Sequence, residues 1–240
     1  MSGIVNLANS LSVIKQYVFE NKEFTLDELS RMLLCNWDGF EQIRENIVNR
    51  AEFFGNDTDT DILVNRISKT LAEISSKYVP YRGGRYIFGT LTGYEVSHIS
   101  FGKNTIASPD GRYATDAFAA SVSSLDETAS GGVVSYLTSA SKIDGNFLSS
   151  SVVVNLTLEK SMIDTADKKI KFADMIKTFF TMGGIQLQIN YLSAEELIQA
   201  QKSPQKYKNL RVRVTGFSGF FTSFDTDLQN EIIQRTLYQG

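Results

Sequence analysis

The sequence predicts an α/β fold whose first third is purely helical, and three observations predict it. Apolar residues recur at helical spacing through residues 1–80. Beyond residue 150, strand-period and helix-period segments alternate, an order that favours parallel strand pairing. Between them lies a stretch rich in glycine, aromatic and β-branched residues, broken by Pro109-Asp110-Gly111. The 240 residues suffice for one sizeable core or two small ones.

Taken in order, Leu7, Leu11, Ile14 and Val18 mark a first helix. Thr25 with Glu28 three residues later forms a capping box that opens a second, running through Leu33 and Leu34. Residues 39–51 form a third. Leu63, Ile67, Leu71, Ile74 and Tyr78 form a fourth, stopped near Pro80. Residues 86–101 read as strand, with breaks at Gly89 and Gly93. Pro109-Asp110-Gly111 is a turn, because proline presets φ and glycine tolerates positive φ. Residues 121–132 are small and polar and read as loop. Residues 152–158 are β-rich. Residues 170–182 are helical, with Gly183-Gly184 as the stop. Residues 185–192 alternate as a strand, and Ser193 with Glu196 caps a helix that ends before Pro204. Leu210, Val212 and Val214 alternate with Arg211 and Arg213, a strand that runs into Thr215-Gly216-Phe217-Ser218-Gly219. A last helix starts near Asp227, with Thr226 as its cap and Gln229 completing a box.

Composition narrows the function. The formal net charge is -3 and no basic stripe interleaves with aromatics, so nucleic acid is not an expected partner. No apolar run reaches the roughly 18 residues of a membrane span, and the start lacks the basic region of a signal peptide. One cysteine, Cys35, forbids an intrachain disulfide and suits a reducing cytoplasm, the expected location. One histidine and one cysteine nearly exclude Cys/His metal sites and histidine-based triads within these residues, so no metal is expected.

Several short features read as structural. Gly83-Gly84-Arg85 lacks the Lys-Ser/Thr of a phosphate loop and reads as a tight turn. Asp167-Lys168-Lys169 reads as a solvated helix start, and Ser149-Ser150-Ser151 as a loop. Cys35 ends a helix among apolar neighbours and is expected to be buried and inert. His98, in a predicted strand, reads as a satisfied structural histidine. Gly216 alone would be only a turn.

The segment around Gly216 is more specific. Gly183-Gly184-Ile185-Gln186-Leu187-Gln188-Ile189-Asn190 is followed by Leu192-Ser193-Ala194, Ala200-Gln201-Lys202 and Pro204. Next come Lys206-Tyr207 and Leu210-Arg211-Val212-Arg213-Val214-Thr215-Gly216-Phe217-Ser218, and the end is Leu228-Gln229-Asn230-Glu231-Ile232-Ile233-Gln234-Arg235-Thr236. This closely resembles the C-terminal glycyl radical domain of pyruvate formate-lyase-like enzymes, whose pattern Arg-Val-x-Gly-Tyr matches Arg213-Val214-Thr215-Gly216-Phe217. Upstream, Arg82-Gly83-Gly84-Arg85, His98 with Phe101-Gly102-Lys103, Pro109-Asp110-Gly111-Arg112 and Ser141-Lys142-Ile143-Asp144 resemble late barrel segments of that family. Asn9-Ser10-Leu11 and Asn36-Trp37-Asp38-Gly39-Phe40-Glu41 resemble its preceding helices. Phe217 stands for the usual tyrosine, and Gly219 stands where alanine is common.

The resemblance implies a C-terminal portion of a ten-stranded α/β barrel with the glycine loop inserted inside it. It divides the chain into a helical segment (1–80), late barrel segments (81–182) and a glycyl radical domain (183–240). Gly216 would store the radical, within a loop of Arg213, Val214, Thr215, Phe217 and Ser218. Glycine suits that role because an α-carbon radical is stabilised when planar, and a side chain would crowd the plane. A separate S-adenosylmethionine radical activating enzyme would install it, with no cofactor bound by the chain itself. The family's working thiyl comes from a Gly-Cys-x-Glu-like loop that is absent from these residues; Met1 aligns roughly just beyond it. The expected partner is therefore a large subunit carrying that cysteine, and the chain is expected to be the radical-bearing subunit of a split lyase. The alternative is a spare part that restores an oxygen-cleaved full-length enzyme. A half-barrel would expose strand edges and a core face, which predicts an obligate apolar interface on the order of 2,000 Å² or more. Lys142-Ile143-Asp144 followed by Val154-Asn155 resembles the eliminase and dehydratase branch, which acts on small molecules. His98 and Asn155 are candidates for substrate contact; Asn155 either faces the interior to bind a polar substrate or is structural.

Overall fold

The computed structural model describes residues 1–90, 97–123, 131–158, 160–214 and 217–239. It begins with α1 (Ile4–Val13), which continues into a π-helical stretch over Ile14–Glu20. Then follow α2 (Leu26–Leu34), α3 (Glu41–Arg50) and α4 (Thr60–Ser75), in the order the apolar spacing predicts. The capping box forms as expected: Thr25 N–H donates to Glu28 Oε2 at 2.7 Å, and Glu28 N–H donates to Thr25 Oγ1 at 3.2 Å. Accepting from Thr25 N–H, and from Thr25 Oγ1–H at 2.8 Å, holds the Glu28 carboxyl below its ordinary pKa.

Two sequence blocks some 70 residues apart meet behind α2 and α3. After α2, Asn36 and Trp37 both adopt positive φ, which reverses the chain and buries the Trp37 ring. The Trp37 indole N–H donates to the Arg112 carbonyl at 3.4 Å, and Arg44 Nε–H donates to the Gly111 carbonyl at 2.6 Å. Asn36 Oδ1 accepts from Ala114 N–H at 2.6 Å. The Pro109-Asp110-Gly111 turn is present, closed by Gly111 N–H donating to Ser108 C=O at 3.0 Å, with Gly111 at φ +89°.

The expected strand at 86–101 is only partly realised. Gly89 makes a single parallel bridge to Ser151, flanked by Ser150 N–H to Phe88 C=O and Thr90 N–H to Ser151 C=O. Gly93 lies outside the described residues. Ser97–Lys103 is α5 instead, a correction that moves His98 from strand to helix. His98, Ile99 and Gly102 are its buried positions, a helical spacing that the surrounding β-branched texture masks. α6 (Gly132–Ser141) has no counterpart among the expected elements; of the loop expected over 121–132, residues 124–130 lie outside the described residues. Its Val133 and Val134 weaken helix propensity, but Tyr136, Leu137 and Ala140 bury one face.

β1 (Val154–Leu158) pairs in parallel with β2 (Leu187–Tyr191), Asn155 opposite Gln188 and Thr157 opposite Asn190. The crossover is α7 (Ala166–Thr181), capped by Thr165 and stopped by Gly183 at φ +108°. Ser193 caps α8 (Ala194–Lys202) as expected. β3 (Arg211–Arg213) does not extend the parallel sheet; it turns back antiparallel onto β4 (Ser218–Phe220). The last helix, α9 (Thr226–Gln239), is capped by Asp225 rather than Thr226, through Leu228 N–H to Asp225 Oδ1 at 2.9 Å. The Gln229 amide closes no box and donates instead to the carbonyls of Phe221 and Phe224, at 3.1 and 3.0 Å.

Three apolar clusters hold these elements. Ile4, Phe54, Leu137, Val154, Leu156, Leu158 and Phe179 pack α1, α6 and α7 on one face of β1. Tyr17, Leu29, Met32, Trp37, Ile47 and Phe53 form the helical cluster. Ile99, Leu197, Val212, Val214, Phe221 and Ile232 join α5, α8 and α9 to the terminal hairpin. Among the described residues no helix is long and apolar enough to cross a membrane.

Candidate functional site: a polar strand face and the hairpin it holds

The two faces of the β1–β2 pair differ in chemistry. Val154, Leu156 and Leu158 point into the apolar core, while Asn155, Thr157, Gln188 and Asn190, alternating with them, are buried polar groups. Burying that many amides and hydroxyls is costly unless they meet partners. Much of their partnering comes from the hairpin.

Arg213 is the hub. Asn190 Nδ2–H donates to the Arg213 carbonyl at 2.7 Å, and Arg213 N–H donates to Asn190 Oδ1 at 2.8 Å. The Arg213 guanidinium reaches Gln188 Oε1 through Nε at 3.3 Å and Ser218 Oγ through Nη1 at 3.4 Å. The hairpin ladder pairs Arg211 with Phe220, Val212 with Gly219 and Arg213 with Ser218. Beyond it, Val214 N–H donates to the Phe217 carbonyl at 2.9 Å. Thr215 and Gly216 connect those two residues in sequence and lie outside the described residues. Val212 and Val214 are buried in the terminal cluster, which anchors the approach to Gly216 from the opposite side.

The other candidates fall in distinct places. Asn155, 2% exposed, sits on the polar face, and its Nδ2 has no hydrogen-bond partner among the described residues. His98 is 1% exposed and faces α9, its Nε2 lying 3.5 Å from Glu231 Oε1. A neighbouring ion pair, Lys103 with Asp227, ties the same two helices. Cys35 corrects an expectation: it is exposed, because the left-handed Asn36-Trp37 step turns it away from the core. Its Sγ–H is shared between the carbonyls of Met32 and Asp38, at 3.3 and 3.4 Å. It is the C-terminal cap of α2, in the helical region of the chain.

Gln188 and Asn190 stand in the sequence only as part of the block that carries the resemblance; their spacing of two within the alternating segment 185–192 is the local signal for a shared strand face.

Known proteins resemble the chain in sequence and in fold. Residues 1–101 match the family model Pyruvate formate lyase-like, and residues 118–222 match Glycine radical. The chain is 34% identical over 244 residues to the probable dehydratase YbiW of Escherichia coli (strain K12), covering 98% of this chain and 30% of that protein. It is 31% identical to trans-4-hydroxy-L-proline dehydratase of Clostridioides difficile, covering 98% of this chain and 29% of the relative. The glycerol-bound B12-independent glycerol dehydratase of Clostridium butyricum superposes with a TM-score of 0.91 at 31% identity, over 97% of this chain and 29% of that one. The chain thus spans about 30% of the length of the relatives it matches. With two family models along most of its length, and a fold that superposes on the barrel of solved members, the chain belongs to the pyruvate formate-lyase-like glycyl radical enzymes and corresponds to a C-terminal portion of them.

Proposed function

We propose that Gly216 stores a glycyl radical and that this chain serves as the radical-bearing subunit of a lyase of the dehydratase branch. The observation that carries the reading is the pinch between Val214 and Phe217 at the end of a hairpin seated on a polar strand face. Of the two residues that join them in sequence, Gly216 carries no side chain to crowd a planar α-carbon, as an α-carbon radical needs. In turnover the Gly216 α-carbon would take a hydrogen atom from a cysteine thiol, forming a C–H bond and leaving a thiyl sulfur. A S-adenosylmethionine radical enzyme would install the radical beforehand. Residues 183–240 would act as the radical domain, 81–182 as barrel segments and 1–80 as supporting helices.

The cysteine would come from a partner chain. Cys35 is the one cysteine in these 240 residues, and it caps the end of α2. Large apolar side chains stand exposed on α6, on α7 and at the α7 cap, among them Val134, Ile170, Phe180 and Met182, and Val79 and Tyr81 stand exposed beyond α4. Such surface fits burial against a large partner. The match extends through residues 1–101, more than replacement of a cleaved radical loop requires, which favours the subunit over the spare part. Among the relatives are dehydratases of a polyol and of a hydroxylated amino acid, and Asn155 with its orphan amide would suit a hydroxyl-bearing substrate.

The test is anaerobic EPR after incubation with the activase and the complementary cysteine-bearing chain. A doublet near the free-electron g value, lost in Gly216→Ala, and cleavage at Gly216 on exposure to air are expected. Turnover should need both chains. Turnover only with an oxygen-damaged full-length enzyme would make the chain a spare part. A monodisperse isolated monomer with a cooperative melt would remove the obligate partner.

A further inference from the structure

We infer that Asn190 is a positioning residue for radical transfer, its side chain standing in for a neighbouring strand at Arg213; this rests on the reading of Gly216 given above. β3 is laddered to β4 and not to β2, so the hairpin is not an extension of the barrel sheet. Arg213 would then present an inward N–H and C=O with no strand to receive them. Asn190 satisfies both, with bonds of 2.8 and 2.7 Å, because a primary amide carries an acceptor and a donor side by side in one plane. Only one orientation of that amide serves both partners.

A side-chain joint differs from a backbone ladder in what it fixes. A ladder spreads the hold over several residues, whereas this joint fixes one residue, three positions before Gly216. Gln188, two residues earlier on the same face, receives Arg213 Nε–H at 3.3 Å, and Arg213 Nη1 carries the hold across to Ser218 at 3.4 Å. Both strands of the hairpin are therefore referenced to β2, and β2 is paired to β1 over five residues. Nothing in this joint acts on the stability of the radical itself. It sets where the Val214–Phe217 pinch stands relative to the barrel. Atom transfer needs reacting atoms about 3–3.5 Å apart, and a misplacement of about 1 Å costs on the order of 10²-fold.

The experiment compares wild type, Asn190→Leu and Asn190→Asp, each with the activase and the cysteine-bearing chain. Its first arm is backbone amide exchange by mass spectrometry. Arg213 should exchange faster in Asn190→Leu, with Leu156 in β1 unchanged. Its second arm is EPR in D2O, where a thiol exchanges its proton with solvent. Each return of a hydrogen atom to Gly216 then delivers deuterium, and when the thiyl takes the protium back to re-form the radical, deuterium stays on the α-carbon and the doublet collapses to a singlet. Asn190→Leu should keep the spin count of wild type and collapse about tenfold more slowly or worse. Asn190→Asp tests the hydrogen bonds themselves, since a neutral carboxylic acid can accept from N–H and donate to C=O as the amide does. Its collapse rate should recover toward wild type as pH falls through the carboxyl pKa, a rise that wild type lacks. Unchanged exchange at Arg213 overturns the inference. So do equal collapse rates, or a wild-type doublet that never collapses. No doublet in any variant overturns the Gly216 reading and the positioning role with it, while the exchange arm reports separately whether Asn190 holds Arg213.

Discussion

A Cβ built on Gly219 would stand 2.5 Å from Cζ of Phe224 and 2.7 Å from its Cε1. Alanine is common at this position in the family, so the glycine here is explained by what faces it. The Phe224 ring meets Phe217 edge-on, with centroids 6.3 Å apart at 89°, and lies over the β4 backbone. Gly219→Ala should therefore destabilise the chain by about 1–2 kcal/mol, the cost of overpacking against a ring that must tilt. Phe224→Leu in the same chain should recover most of that loss. Denaturant melts of the two single variants and the double variant give the coupling directly. Additive effects would mean that the ring moves freely and that the glycine has another reason.

Gly102 is a harder constraint. A Cβ there would lie 2.2 Å from the Asp116 carbonyl oxygen and 2.8 Å from Ala117 Cα, both backbone atoms that no rotamer change can remove. This close approach lets His98 C=O receive Phe118 N–H at 3.1 Å, which seats α5 under the terminal cluster. Gly102→Ala should cost about 2–3 kcal/mol despite improving helix propensity, because α5 must back away. Exposed Ser100→Ala in the same helix should cost under about 0.5 kcal/mol. Equal urea midpoints for the two variants would show that α5 is not clamped there.

The contrast between α5 and the terminal elements shows which parts of this fold are legible in sequence. Local chemistry was readable where it acts locally. The Thr25–Glu28 box, the Ser193 cap, the Gly183 stop and the Gly111 turn all form as their residues dictate. The misreadings lie where tertiary contact decides. Ser97–Lys103 becomes helix because Gly102 can press against residues 116 and 117, a contact invisible in a seven-residue pattern. β4 is three residues long, with a glycine at its centre, and exists because β3 folds back onto it. Asp225 wins the N-cap of α9 over Thr226 because the Gln229 side chain is drawn away to Phe221 and Phe224. The candidate site divides similarly. Gly216 is marked by its flanking motif, whereas the joint between Asn190 and Arg213 depends on two strands meeting without pairing.

Lys142 joins the start of α4 to the end of α6. Its ammonium donates to Asp61 Oδ2 at 2.9 Å and also to Asp57, while the Asp61 side chain is fully buried. Burial works against the Lys142 charge, but the bonds and charges of the two carboxylates outweigh it and raise its pKa. Lys142→Met keeps the length and removes the cation, leaving Asp61 with the Gly55 N–H, at 3.4 Å, as a remaining donor. The expected loss is about 2 kcal/mol, below the figure for a wholly buried pair because Lys142 is more than a third exposed. Asp61→Asn in the Lys142→Met background should restore part of it. A Lys142→Met chain as stable as wild type would mean that Asp61 is held by its other contacts alone.

Asp110 supplies a pH signature with the opposite sign to most carboxylates. It is fully buried, and desolvation raises its pKa even though Ser108 Oγ–H and Asn6 Nδ2–H donate to it at 2.5 and 2.8 Å and Arg112 lies nearby. A folded pKa above the unfolded one means that the native state binds the proton more tightly. Between the ordinary carboxyl value, about 3.9, and the raised value, each increment of pH therefore costs stability, and above that window the full penalty persists. Asp110→Asn cannot ionise, and its amide can accept from Asn6 and donate to Ser108 Oγ. The stability of Asp110→Asn minus that of wild type should rise as pH increases through this window and then level off. Arg112 blunts the comparison little, because its guanidinium is held by the carbonyls of Ile106, Tyr113 and Asp116. Denaturant midpoints for both chains across the acid-to-neutral range make the measurement. A difference that stays flat or falls with pH would mean that Asp110 is charged in the folded chain, stabilised there by Arg112 more than burial opposes it.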